Sequence, residues 1–492
     1  MLRGRTWLII SLLALASGCD ERTDGAFNLA FISTSDNLFE TGSRLTEGAQ
    51  HLRGATALGL VTRDTQGEII PGLADRWIVT DDGRSFIFRL RDGTWPDGSP
   101  LTAQSARQAL LVAMRALDGT SMALDLEPVD EIRAMAGRVI EMRLSAPFPA
   151  LLQLLAQPEL AIKPEAAAGD MEMTRDGAEA TLALKPPAAR GLPELENWRA
   201  DTRQLRIVAL SAPEALARFD QGNLDAVFGG GIGTLPLVDT GPLSRGAVRV
   251  DPATGLFGLA VLRENGPLAQ PLLREAIAMA IDRQALVDAF GVGGWVVTTR
   301  IVNPGLNDDP GFISERWVGQ TIDDLRSESR RRLALWRARQ INAGIDKPLR
   351  LTIALESGPG YDLLYRELRG QLEQVEIDLV RAHRGQPADL ALVDRIARYA
   401  APRWFLNQFR CELRPRVCDP AADELIKLAQ QEPDPVTRGT LLAEAEAELT
   451  MANIFIPIAA PLRWSLIRGD IVGFTPNRWA FHPLPPMAQI AR

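Results

Sequence analysis

Lysine is almost missing from this chain. Only four of its 54 basic residues are lysines (Lys163, Lys185, Lys347 and Lys427), so arginine carries nearly all the positive charge. No basic run offsets a formal net charge of −8, and such a chain makes a poor nucleic-acid binder, because phosphate neutralisation needs clustered cations. Three scattered histidines (His51, His383 and His482) and three cysteines leave little room for a His/Cys metal site, and no cofactor is expected. No stretch reaches the 18 apolar residues that would span a bilayer. Also missing are His-Glu-x-x-His, Gly-x-Ser-x-Gly and the P-loop, so no enzyme motif is present. Glu356 to Gly360 and Gly229 to Gly233 read as plain turns. What remains is ordinary globular composition, 46% hydrophobic and 24% charged, on a chain long enough for about three units of ~150 residues, or fewer larger ones.

The first eighteen residues read as a secretory leader. Arg3 and Arg5 precede an apolar run from Trp7 to Ala16, and small residues lead up to Cys19. Leu15-Ala16-Ser17-Gly18-Cys19 resembles the lipobox of bacterial lipoproteins, with Ala16 where leucine is usual. The resemblance implies cleavage before Cys19 and acylation of its thiol. Asp20 next to it implies retention in the inner membrane, by analogy with enteric lipoproteins. Residues 19–25 would be the tether. Cys411 and Cys418 lie seven positions apart. Export puts them in an oxidising compartment, where a close pair tends to join as a disulfide; two free thiols are the alternative.

Along the body, strands are expected at Phe27–Ile32, Gln204–Leu210, Leu224–Phe228, Gly255–Leu262, Leu349–Leu355, Ile377–Val380, Asp389–Val393 and Ile454–Ala460. Asp81-Asp82-Gly83 between two alternating runs predicts a hairpin. Thr102 is a plausible cap for a helix running to about Leu117. Further helices are expected at Ala212–Gln221, Leu268–Phe290, Ser327–Ala343, Asp362–Val375 and Pro435–Met451. Strands alternating with helices point to α/β architecture.

Three blocks then carry a resemblance. Residues 73–103 hold Trp77, Gly83, Phe86, Phe88, Arg91, Gly93, Trp95, Asp97, Gly98 and Thr102 in the spacing of the family 5 extracellular solute-binding proteins, the oligopeptide/dipeptide-type receptors of ABC importers. Pro271–Arg283 and Ala443–Pro457 are similar to two later blocks of that family. Read without the resemblance, Trp77, Phe86 and Phe88 are core residues, and Arg274 and Asp282 are ion pairs or caps on one helix. The resemblance implies a two-lobed, periplasmic-binding-protein-like fold (type II, cluster C) with mixed sheets and hinge crossovers. Lobe one would be 26–252 with 463–492 returning to it, and lobe two 253–462. It also implies a monomeric periplasmic receptor, no bond made or broken, a peptide or small-molecule ligand, and a permease with its ATPase as partners. A ligand-sensing or scaffold lipoprotein on the same fold is the alternative.

In peptide-binding members a lobe-two segment places an aspartate on the peptide ammonium. The matching segment here is Asp389–Leu406. Tyr399 and Pro402 align, but Arg398 stands where the aspartate should be, and Ala401 replaces a second one. An arginine there repels an ammonium and suits an anion. Arg398 is thus either a ligand contact or half of a structural ion pair. Asp394 either takes the cation-binding role or pairs with Arg398. Tyr399 and Trp404 either stack on the ligand or line the hinge. The family's Gly-Thr-Gly-Pro stretch has no counterpart in 170–192.

Overall fold

The computed structural model describes residues 25–162, 168–239, 246–306, 309–344, 348–383, 385–413, 417–469 and 471–490. The leader, Cys19 and nearly all of the tether lie outside them.

Two mixed sheets organise the molecule. The larger has seven strands in the order 248–251, 463–467, 226–231, 27–32, 205–210, 179–184, 171–176. Its centre is parallel: Phe27–Ile32 pairs in parallel with both Leu205–Leu210 and Ala226–Gly231. The smaller has five strands in the order 378–381, 350–354, 390–396, 255–261, 455–459. Gly255–Val261 at its heart is buried along its whole length and antiparallel to both neighbours, as expected of a strand covered on both faces. A separate antiparallel meander (74–79, 85–90, 139–144, 129–134) carries the Asp81–Gly83 turn. There Phe86 and Phe88 are buried, and Trp77 packs partly buried against the same core.

Local chemistry explains most boundaries. Thr102 accepts the Ser105 backbone N–H and starts the helix Ala103–Arg115. The expected helix Leu268–Phe290 is not continuous. It runs from Pro271 to Ala280, stops at Ile281 in extended conformation, and restarts at Arg283 with Asp282 as its cap. An aspartate that bonds the Ala285 N–H competes with the helix it interrupts. Arg274 forms an ion pair with Glu264 at 3.5 Å and also donates to the Ala452 and Leu268 carbonyls, while Asp282 is a cap. The arginine-rich helix begins at Ile322, five residues earlier than expected, because Thr321 and Asp324 form a reciprocal cap.

The chain leaves the larger sheet at Asp251, enters the smaller at Gly255, and returns between Ala459 and Arg463. Asp251 is buried, accepting from Asn477 N–H and facing His482 Nε2 at 3.2 Å.

Two contacts draw the bodies together. The first presses one glycine turn on another. After the larger-sheet strand 226–231, the turn at Ile232–Leu237 meets the start of the helix Pro359–Glu373. A Cβ on Gly360 would overlap the Ile232 carbonyl oxygen, and the Tyr361 ring covers Gly233. The second contact is polar. Asp125, on the short helix Ser121–Leu126, accepts from the Tyr399 hydroxyl and Asn407 Nδ2, both at 2.7 Å. Arg403 donates to the Leu124 carbonyl at 2.8 Å. Burial pushes the Asp125 carboxyl up to about 6, against the opposing pull of the Arg403 charge and of the two hydrogen bonds.

Each contact yields a test. Gly360→Ala should hold the bodies apart and raise the radius of gyration in small-angle X-ray scattering. Gly370→Ala, on the same helix with nothing within 4 Å of the added carbon, should leave it unchanged. For Asp125, the folded carboxyl keeps its proton up to about pH 6, whereas an unfolded aspartate releases it near 4. The fold binds the extra proton, so this residue's contribution to stability falls as pH rises from about 4 to about 6. Asp125→Asn should remove that dependence, flattening the change in melting temperature between pH 4.5 and 7 by the equivalent of about 2 kcal/mol. An unaltered profile in the variant would show that another group carries it.

Candidate functional site

Between the two bodies lies a cavity of about 320 Å³, near the lower end of the ~300–1,000 Å³ usual for ligand sites. Its walls come from distant parts of the chain. Glu47 opens the helix Glu47–Thr56, Arg63 ends the strand Val61–Arg63, and Arg463 begins the strand Arg463–Ile467. Asp394, Arg395 and Arg398 lie on or just after the strand Leu390–Ile396. Trp404, Trp479 and Phe481 supply apolar wall. A second cavity of about 460 Å³ adjoins it, sharing Leu45, Ser121, Arg395, Arg398 and Gln408 and reaching Glu159.

Two charge systems stand in this space. In the first, Arg463 reaches Asp394 Oδ1 at 2.8 Å through Nη1 and Glu47 Oε2 at 3.0 Å through Nε. Although burial works against its charge, the Asp394 and Glu47 carboxylates outweigh it and raise the arginine's proton affinity. In the second, Arg398 Nη2 lies 2.8 Å from Glu159 Oε1, and its Nη1 donates to Gln157 Oε1 at 3.2 Å. The Arg398 carbonyl accepts from Arg63 Nη2 and Gln157 Nε2. Arg63 is buried with its guanidinium 4.0 Å over the Trp479 ring. Its proton affinity is lowered to about 9, first by burial and next by the Arg398 charge.

The residues singled out in the sequence fall as follows. Arg398 faces the cavity and is also half of an ion pair, with Glu159. Asp394 faces the same cavity, but its partner is Arg463, not Arg398. Strand alternation and the hinge return put Arg463, rather than the residue four positions on, beside the Asp394 carboxylate. Trp404 is on the wall, 2% exposed, with its ring edge-on to Phe405. Tyr399 is fully buried, away from the cavity, with its hydroxyl on Asp125 and its ring edge-on to Phe148. It cannot stack on a ligand there, because its ring is packed in the core against Phe148 and its hydroxyl is committed to Asp125. Cys411 and Cys418 lie with their Cα atoms 5.2 Å apart and their sulfurs joined. Glu47, Arg63, Glu159, Arg463 and Trp479 had no sequence signal. Glu47 and Arg463 are 416 positions apart, and only the closed fold brings them together.

Among the described residues no group of three or more His, Cys, Asp or Glu side chains is placed to hold a metal ion, and no helix is long and apolar enough to cross a membrane.

Comparison with known proteins agrees with this architecture. The family model of the bacterial extracellular solute-binding proteins, family 5 middle region, matches residues 68–188. The periplasmic oligopeptide-binding protein OppA of Salmonella typhimurium is 22% identical, covering 85% of this chain and 84% of that protein. A probable deoxycholate-binding periplasmic protein of Escherichia coli is 24% identical over the same shares. Among solved structures, Haemophilus influenzae OppA in complex with the peptide RPPGFSPFR superposes with a TM-score of 0.78 at 17% identity, covering 95% of this chain and all of that one. An Agrobacterium tumefaciens binding protein in complex with agropinic acid gives 0.69 at 17% identity, covering 95% and 98%. The fold is thus the two-lobed α/β fold of the periplasmic binding proteins, and over residues 68–188 the chain is similar to the bacterial family 5 extracellular solute-binding proteins.

Proposed function

We propose that this chain is the receptor subunit of an ABC importer, capturing a peptide-like or other small solute between its lobes and handing it to a membrane permease driven by an ATPase. One observation carries the reading: the charged cavity is walled by side chains from both sheets, so a solute in it would be held only when the bodies are together. Residues 26–252 with 463–492 form one lobe in this reading, and 253–462 the other. The crossovers at Asp251–Gly255 and Pro461–Arg463 act as hinges. A ligand favours the closed form by its greater affinity for it. The relatives' names span oligopeptides, deoxycholate and agropinic acid, so the family's pocket chemistry is adaptable, and the solute here is a matter for this chain's own residues. The protein works as a monomer without cofactor, and the solute leaves chemically unchanged. It sits in the periplasm, held to the inner membrane by lipid on Cys19.

Native mass spectrometry of the mature chain, purified from the periplasm without refolding, should show a bound mass that denaturation releases. An empty protein, unshifted in thermal melts by peptide or organic-acid mixtures, would end the receptor reading. Cys19→Ala should move the chain from the membrane fraction to the soluble periplasmic fraction. A variant that stays with the membrane would rule out the lipid anchor.

A further inference from the structure

The charges around the cavity do not balance locally. Arg463 is matched by Asp394 and Glu47, and Arg398 by Glu159. Arg63 and Arg395 also line the cavity, and among the described residues neither has a carboxylate within 4.0 Å. Arg63 is 4% exposed. Its Nη2 is used on the Gln153 and Arg398 carbonyls, its plane lies on Trp479, and its Nη1 has no hydrogen-bond partner. Arg395 donates through Nη1 to Gln408 Oε1 at 2.9 Å. The Arg398 charge disfavours the charged form of both, next after burial.

A guanidinium set in a cavity wall without a counter-charge is costly, because desolvation is not repaid by an ion pair. Arg63 is such a group; Arg395 is solvent-exposed and adds a second cation without a carboxylate partner to the same cavity, so the two define a place where a negative charge would be held. Arginine's planar fork suits a carboxylate or a phosphate, and the flat Trp479 stack fixes the plane of one fork in advance. The Arg463 group carries two carboxylates for one arginine, so an acid group is favoured at Arg63 and Arg395 rather than there.

We propose that Arg63 and Arg395 form the receiving site for an acid group, a carboxylate or a phosphate, on the solute. The assignment rests on the receptor reading above and narrows it. It also moves the anion-binding role off Arg398, whose charge Glu159 already satisfies, and gives Arg398 the task of presenting its carbonyl to Arg63.

The test uses the mature chain, with trialanine as free acid and as C-terminal amide, succinate and succinamide, and inorganic phosphate. Melting shifts and calorimetry give the affinities. At least one acid probe should bind, its amide should not, and Arg395→Gln should weaken the bound acid about tenfold or more. Arg63→Lys keeps the charge and loses the fork, so it should weaken the same probe while the protein still folds. Response to carboxylates or to phosphate alone identifies the source of the charge. Equal binding of acid and amide, or an Arg395→Gln variant with wild-type affinity for the acid, would overturn the assignment and leave the receptor reading in place. No response to any probe, together with no bound mass in the native preparation, would bring down both.

Discussion

The structure turns on Arg463. It stands where the chain re-enters the larger sheet, and its guanidinium joins Glu47 of that body to Asp394 of the smaller sheet. One residue thus sits at the return crossover, on the cavity wall and between the two bodies. A largely buried arginine with two carboxylates is among the few arrangements in which burial of charge is tolerated, because each partner satisfies the other. Removing the arginine would leave two carboxylates facing each other at the hinge. The triad therefore gives the contact between the bodies a directional, charge-paired element at the cavity. The glycine-on-glycine contact at Gly233 and Gly360 sets how near the backbones approach, but it supplies no directional bond.

The near-absence of lysine acquires a physical meaning here. Buried arginines throughout the molecule spend their donors on backbone carbonyls: Arg274 on Ala452 and Leu268, Arg283 on Pro457, Arg403 on Leu124. Arg316 and Arg332 share Glu275. A guanidinium can serve several acceptors in one plane and is less strongly hydrated than an ammonium, so it can be buried where lysine would lose too much solvation. The chain uses arginine as a cross-linker between elements. Arg63 combines an unspent donor with a place on the cavity wall.

How far the sequence could be read follows from the range of the forces involved. The Asp81–Gly83 hairpin, the Thr102 cap and the strand at Phe27–Ile32 depend on neighbours in sequence, and they were legible. The break at Asp282 was not, because the apolar spacing continues across it while a single side-chain bond to Ala285 decides the backbone. The strand Arg463–Ile467 escaped notice as well: its alternation is weak, and its pairing with Ala226–Gly231 and Val248–Asp251 is entirely long-range. The site divides in the same way. Asp394, Arg398 and Trp404 belong to one continuous segment, and the structure brings all three to the cavity. Tyr399 shares the segment but faces the other way. Glu47, Arg63 and Glu159 sit on elements that no local pattern connects to it.

The departure at residue 398 is not an isolated change of sign. An arginine in place of a carboxylate would leave an unpaired cation in the cleft, yet Glu159 and Gln157 from the other body meet it. The counter-charge to Arg398 comes from across the cavity. A pairing of opposite charges between the lobes is thereby kept, while the solute loses access to that carboxylate. Glu159 Oε1 is occupied by Arg398 and by Gln50. With its uncompensated positive charge at Arg63 and Arg395, the cavity disfavours, in the proposed reading, a peptide held by its amino end. In that reading it suits a solute gripped by an acid group, with Trp404 and Trp479 as its apolar walls.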